Sequence, residues 1–215
     1  AGIEIENTFD ADIYQNEATD NTGGILVFNM PNLKQPGARS RVYKNKVVAN
    51  YRKNFGHPGT PVATVPAGAG VVVNSNDQVE IFDNDIRDNQ TANVIIASIF
   101  SSGISQDGVQ ADFDGYAEGV YVYGNRMGGG GKNPDGMELQ ALKLAMFGPT
   151  GALPDVLWDG FVDPTKMVAG ALPDAVEFLV RRDLFRAPEF QAGEFEVQDI
   201  SSQAVGRACG AQGGE

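Results

Sequence analysis

The sequence contains one cysteine, Cys209, and one histidine, His57, in 215 residues. The single thiol excludes an internal disulfide framework, a CxxCH haem site and any multi-cysteine zinc site, and the single imidazole excludes a histidine-rich metal centre. No cofactor is expected. No window approaches the roughly 18–20 uninterrupted apolar residues that cross a bilayer, and the N-terminus lacks the basic, apolar and small-residue zones of a signal peptide. A direct membrane span is therefore not expected. Acidic residues are also missing from one long stretch, Asn21 to Asn76. What is present is a chain with 42% hydrophobic residues and 27 glycines, long enough for one domain with a sizeable core and too apolar for disorder.

Four segments share an Ile/Val, aromatic, any, Asn pattern: Ile13 to Asn16, Val42 to Asn45, Ile81 to Asn84 and Val122 to Asn125. In the first three a second Asn follows five residues later, at Asn21, Asn50 and Asn89. Upstream, a Gly-Ile/Val-x-Ile/Val motif recurs from Gly2, Gly24 and Gly70, with a degenerate copy at Val94-Ile95-Ile96. The step from Gly2 to Gly24 is 22 residues. A period of this size with two-residue alternation inside it predicts stacked short strands rather than helical repeats. Val, Ile, Tyr and Phe favour the strands, and Asn and Gly mark the turns between them. The recurrent asparagines then lie above one another and hydrogen-bond in a ladder, which explains the residue type without a ligand.

These residues resemble a known family. The Gly-Ile-x-Ile-x-Asn-Thr and Ile-Tyr-x-Asn motifs, the stretch Asn21 to Leu33 and the stretch Leu153 to Pro164 are similar to exported right-handed parallel β-helix repeat proteins of bacteria, over about residues 2 to 180. The resemblance implies an all-β right-handed parallel β-helix with coils of about 22 residues and a helix-containing C-terminal cap. It also implies a secreted protein or lipoprotein of the periplasm or cell surface, with a membrane-associated or cytochrome-containing assembly as partner. The broader superfamily of carbohydrate-binding and sugar-hydrolase β-helices holds lyases, hydrolases and epimerases, and also non-catalytic binders. The expected layout is coils over 1–127, with insertions at about 30–38 and 51–69, a capping region over 128–190 and a tail over 191–215. Because the chain opens mid-repeat at Ala1-Gly2-Ile3, the solenoid reads as N-terminally incomplete.

After Asn125 the repeat is expected to end, since Gly128 to Gly131 and Pro134-Asp135-Gly136 read as a turn-rich connection. Leu139, Leu142 and Met146 before Gly148-Pro149 predict a short helix over 137–147. A second helix is expected from Pro173 through Phe185. Val156-Leu157-Trp158 reads as an added strand, with Trp158 buried as an anchor of the cap in preference to serving as a sugar-stacking platform.

The net charge of −12 is unevenly spread. The stretch without acids carries Lys34, Arg39, Arg41, Lys44, Lys46, Arg52 and Lys53, against a balance of −19 over the remaining chain. Two interpretations stand side by side. The band attracts an anionic polysaccharide or an acidic protein surface, or it pairs with the protein's own carboxylates. Nucleic acid is not expected, because overall acidity opposes it and no stacking module or groove-reading helix is evident. Aligning the repeats also puts Glu4, Leu26, Val72 and Ile95 at one outward position, so Leu26, Val72 and Ile95 form an apolar strip. Such a strip needs a cover: an insertion, the C-terminal segment or a partner.

Catalytic candidates are sparse. Asp107, Asp112 and Asp114 offer the carboxylates a glycoside hydrolase needs, or oxygen ligands for calcium. A lyase or epimerase needs a base and a cation that neutralises a uronate carboxylate: His57 or Tyr43 for the first, Arg39, Arg41 or Lys44 for the second. His57-Pro58-Gly59 departs from the Asp-Pro-His-Glu signature of alginate epimerases. The preferred expectation is a non-catalytic exported β-helix that binds an anionic carbohydrate or docks onto a periplasmic or cell-surface protein assembly. The alternative is a polysaccharide lyase, epimerase or glycoside hydrolase acting on an anionic polysaccharide.

Overall fold

The computed structural model describes residues 1–166. The expected helix at 173–185, the end of the capping region, the tail and Cys209 lie outside the described residues. Short strands follow one another in threes: β1 (Ile3–Glu6), β2 (Asp12–Tyr14) and β3 (Glu17–Thr19); β4 (Gly23–Phe28), β5 (Arg41–Tyr43) and β6 (Lys46–Val48); β7 (Ala69–Asn74), β8 (Glu80–Phe82) and β9 (Asp85–Arg87); β10 (Ala92–Ala97), β11 (Tyr121–Tyr123) and β12 (Arg126–Gly128). Helix α1 (Met137–Phe147) and strand β13 (Val156–Trp158) complete the described elements, apart from one 3₁₀ turn at Pro61–Thr64. Each triplet places one strand in each of three parallel sheets. Their orders are β1-β4-β7-β10-β13, β2-β5-β8-β11 and β3-β6-β9-β12. The fold is thus all-β and parallel, with one helix.

Register follows the sequence pattern. Ile13, Val42, Ile81 and Val122 are paired across the second sheet, and Ala18, Val47, Ile86 and Met127 across the third. Their side chains meet those of Ile25, Val27, Val71, Val73 and Val94 from the first sheet in one apolar core. Full burial of each such Val or Ile is worth about 1.5–3 kcal/mol, so this core is the principal stabilising feature.

The corners between sheets turn on single residues with positive φ. Gln15, Lys44, Asp83 and Gly124 occupy one corner, and Asp20, Ala49, Asp88 and Gly129 the next. The asparagine immediately after the first corner forms a ladder: backbone N and Nδ2 of Asn16 donate to Asn45 Oδ1, those of Asn45 to Asn84 Oδ1, and those of Asn84 to Asn125 Oδ1, all at 2.8–3.0 Å. A second ladder runs Asn21, Asn50, Asn89. Gly130 stands where a fourth asparagine would be, and Asn93 supplies the missing amide by accepting from Asn89 Nδ2 at 2.8 Å. Gly70 leaves room for this arrangement, since a Cβ there would lie 2.7 Å from Asn89 Nδ2 and 2.3 Å from the Asn93 carbonyl.

Two expectations need correction. The pairing does not stop at Asn125: β12 continues it to Gly128, which pairs with Arg87, and Gly129 then carries the corner conformation that Asp20, Ala49 and Asp88 adopt in earlier triplets. Trp158 is in a strand as expected but is 57% exposed rather than buried, since among the described residues β13 is the last strand of its sheet. The expected helix spans Met137–Phe147 and is closed by Gly148 at φ 73°.

Candidate functional site

The outer face of the first sheet carries two rows of side chains. One runs Glu4, Leu26, Val72, Ile95, Leu157, and the other Glu6, Phe28, Asn74, Ala97. Leu26, Phe28 and Val72 are buried beneath Met30, Val65, Ile99 and Ile104, with Ile95, Val62, Val109 and Phe113 packed at the edge. The covering residues come from the two loops read as insertions and from the loop between β10 and β11. The first insertion and the loop between β10 and β11 are tied together by Asn32 Nδ2, which donates to the Gly108 carbonyl at 3.0 Å, and the second insertion is braced within itself by Asn54 Nδ2, which donates to the carbonyls of Val62 and Val65 at 2.9 and 2.8 Å. Leu26, fully buried, therefore presents no surface to a partner, which corrects its place as a contact residue, and Val72 is 4% exposed. The protein's own loops supply the cover, and Ile95 is only half-buried.

Toward α1 this roof parts. A cleft of about 680 Å³ opens there, floored by Val72, Ile95 and Leu157 and walled by Leu139 and Leu142 of α1 and by Trp158. Three carboxylates line it, Asp135, Glu138 and Asp159, and among the described residues no basic one does. Asp135 accepts from the Ala67 N–H at 2.8 Å. Asp159 Oδ2 accepts from the Ser98 N–H and hydroxyl at 2.6 and 2.7 Å and from Ser101 Oγ at 2.5 Å. Both carboxylates thus hold backbone and loops in place.

Four of the seven residues of the basic band are paired with the protein's own carboxylates. Arg39 makes two hydrogen bonds to Asp10 at 2.7 and 2.9 Å, Arg41 two to Asp12 at 2.8 and 3.0 Å, Lys46 one to Glu17 at 2.7 Å and Arg52 one to Asp20 at 2.5 Å. Strand register dictates the partners, because Arg41 lies between Asp12 and Glu80, and Lys46 between Glu17 and Asp85. The hydrogen bonds from Arg39 and Arg52 hold the Asp10 and Asp20 carboxyls below their usual range. Lys34, Lys44 and Lys53 make no ion pair with another described residue. Beside this charged row, Tyr14, Tyr43, Phe82 and Tyr123 stack face to face, with centroids 5.0–5.1 Å apart. Each inner ring is covered on both faces, so Tyr43 and Phe82 offer no platform for a sugar.

The catalytic candidates do not converge. His57 is exposed in the loop before the 3₁₀ turn, its Nδ1 2.9 Å from the Pro58 carbonyl oxygen. Tyr43 lies on the second sheet near Arg41. Asp107 and Asp112 are exposed. Asp114 instead groups with Asp77 and Glu118, each offering a carboxylate oxygen within 4.8 Å of the others, and Lys166 donates to both Asp114 and Glu118. Burial pushes the Asp77 carboxyl up to about 6. Sequence spacing missed Asp77 and Glu118 because they lie just before the second strands of different triplets, 41 residues apart; the repeat register was the signal that pairs them.

The chain matches no protein-family model, and comparison with curated proteins and with solved structures likewise finds no match.

Proposed function

We propose that the three sheets are the faces of a right-handed parallel β-helix that serves as a non-catalytic, exported docking module for a protein assembly. The strand order supports the architecture: successive strands visit the three sheets in turn, and connections between parallel strands are right-handed in nearly all proteins. Export and the periplasmic or cell-surface setting rest on the resemblance of the repeat motifs. One observation carries the docking role. Helix α1 has no buried residue, and it displays Met137, Leu144 and Met146 at 86, 60 and 67% exposure beside an apolar cleft. Apolar surface of this kind marks interaction sites. Anionic-carbohydrate binding loses support from the ion pairs that engage Arg39, Arg41, Lys46 and Arg52.

The test is the hydrodynamic size of the native complex in extracts of the source organism. Wild-type protein should migrate in an assembly, and the triple variant Met137→Glu, Leu144→Glu, Met146→Glu should migrate as the free chain. Comigration of the variant with the assembly would overturn the role of α1.

A second reading, hydrolysis by paired carboxylates, draws on Asp77, which holds its proton to higher pH than an ordinary aspartate and lies beside Asp114. Release of reducing ends from an anionic polysaccharide, lost in Asp77→Asn, would favour it over docking.

A further inference from the structure

We infer that the cleft beside α1 takes a cationic, apolar peptide segment of the partner. This deepens the docking reading and rests on it. Three observations converge. The first is charge: Asp135, Glu138 and Asp159 line the cleft with no Lys, Arg or His among the described residues that line it, so its field favours a positive occupant and repels a negative one. The second is an acceptor without a donor. Asn74 is 1% exposed and lines the cleft from the second outer row of the first sheet. Its Nδ2 donates to Ser75 Oγ at 3.4 Å, while its Oδ1 is buried with no hydrogen-bond partner. A buried acceptor left unpaired costs free energy that an N–H donor from an occupant would recover. The third is the apolar lining of Val72, Ile95, Leu157, Leu139, Leu142 and Trp158, in a volume of about 680 Å³, within the range of sites that enclose a few side chains.

The occupant these features select has apolar side chains against the sheet, a backbone or side-chain N–H to Asn74 Oδ1, and Lys or Arg at the acidic rim. An anionic partner would bring carboxylates against Asp135 and Glu138. A neutral apolar segment would bring no positive charge to the acidic rim, where Asp135 and Asp159 have hydrogen-bond donors but no cationic partner among the described lining residues.

Trp158 is the chain's one tryptophan and borders the cleft next to the outward Leu157, though its register with Ile96 sets it in the inward row, so a change in its emission is the readout of occupancy. The probes are acetyl-Leu-Lys-Leu-Lys-Leu-amide and the same peptide with Glu in place of Lys, titrated into the full chain. The cationic peptide should shift Trp158 emission and bind at least about tenfold tighter than the anionic one at low salt. Glu138→Lys, at an exposed rim position, should reverse that preference, and Leu142→Ser should weaken both peptides without altering the melting curve. Equal binding of both peptides, abolished by Leu142→Ser, would keep the cleft as a docking site and overturn the cationic specificity. Emission already blue-shifted in the free protein and moved by neither peptide would overturn the inference as a whole. Dependence of that shift on protein concentration would then identify a second copy as the occupant, and independence the chain's own residues. The docking role itself stands or falls separately, on the migration of the triple α1 variant.

Discussion

The first sheet and the other two solve the problem of an outer face with opposite materials. On the first sheet the two outward rows are apolar from β4 onward except at Asn74, and three long loops fold back over much of them. On the second and third sheets those positions carry Asp12, Arg41 and Glu80, or Glu17, Lys46 and Asp85, beside the aromatic stack, and the strands are joined by turns of two residues. The boundary case is β1, where the outward residues are Glu4 and Glu6 and both are exposed. Loop length therefore follows what the outward row must hide. An alternating charge row can stay wet, whereas a row of Leu, Val and Ile cannot.

The sharpest contrast should appear in stability. Leu26→Ala removes a fully buried side chain from beneath the roof and should cost about 3 kcal/mol in urea unfolding. A cost below about 1 kcal/mol would mean that the roof is loose and that the apolar row is effectively exposed. Next in size is Asn84→Ala, inside the body of the molecule. Asn84 Oδ1 accepts from both nitrogens of Asn45, and its Nδ2 donates to the Val42 carbonyl at 2.9 Å. Its loss leaves a buried Asn45 N–H unpaired, at about 2 kcal/mol.

Asp77 stands at the turn from the roofed sheet to the bare one, and its effect depends on pH. Its carboxyl titrates near 6 in the folded protein and at its ordinary, lower value when unfolded. The folded state therefore binds the proton more tightly, and Asp77 opposes folding only where it must ionise. The penalty is absent below about pH 4, grows as pH rises through the window between about 4 and 6, and is complete above it. Asp77→Asn keeps an oxygen for the Glu118 N–H, which Asp77 Oδ1 accepts at 3.0 Å. The variant should match wild type near pH 4 and melt higher than wild type above pH 6. A difference that shrinks as pH rises would reverse the assigned cause.

The sequence made some of this legible and hid the rest for physical reasons. Residue type alone declares the ladders, because Asn at a fixed spacing within each repeat serves a local need repeated in every triplet. The same holds for the inward Ile13, Val42, Ile81 row and for the alignment of Glu4 with Leu26, Val72 and Ile95. What covers Leu26 was not legible, since Val65 and Ile104 come from loops without periodicity, placed by contacts such as Asn32 with Gly108. The partners of the basic band were a matter of register: Asp12 and Arg41 are 29 residues apart, and only the length of the loop after β4 decides that they face each other. Asp77 and Glu118 joined Asp114 for the same reason. Gly128 and Gly129 misled in the opposite direction, because glycine signals a break in the chain as readily as it serves the end of a strand, as at Gly128, or a tight repeated corner, as at Gly129.

The smallest expected effect tests the bare face. Arg41 is held by two hydrogen bonds to Asp12, yet both side chains are substantially exposed, at 51 and 38%. An ion pair in that setting gains little over its hydrated parts and pays side-chain entropy to form. Arg41→Ala should therefore leave the urea midpoint unchanged within error, despite better geometry than most pairs in the molecule. Arg41→Glu is a different experiment. It sets three carboxylates, at positions 12, 41 and 80, on adjacent strands about 4.8 Å apart, well inside the screening length of about 10 Å at 0.1 M salt. That variant should melt lower at low salt and recover most of the loss at 1 M. If Arg41→Ala destabilised as much as Asn84→Ala, the charged row would be a structural element in its own right. If Arg41→Glu were neutral at low salt, the alternation of sign would owe nothing to repulsion between neighbouring strands, and the two kinds of outer face would differ only in whether they are covered.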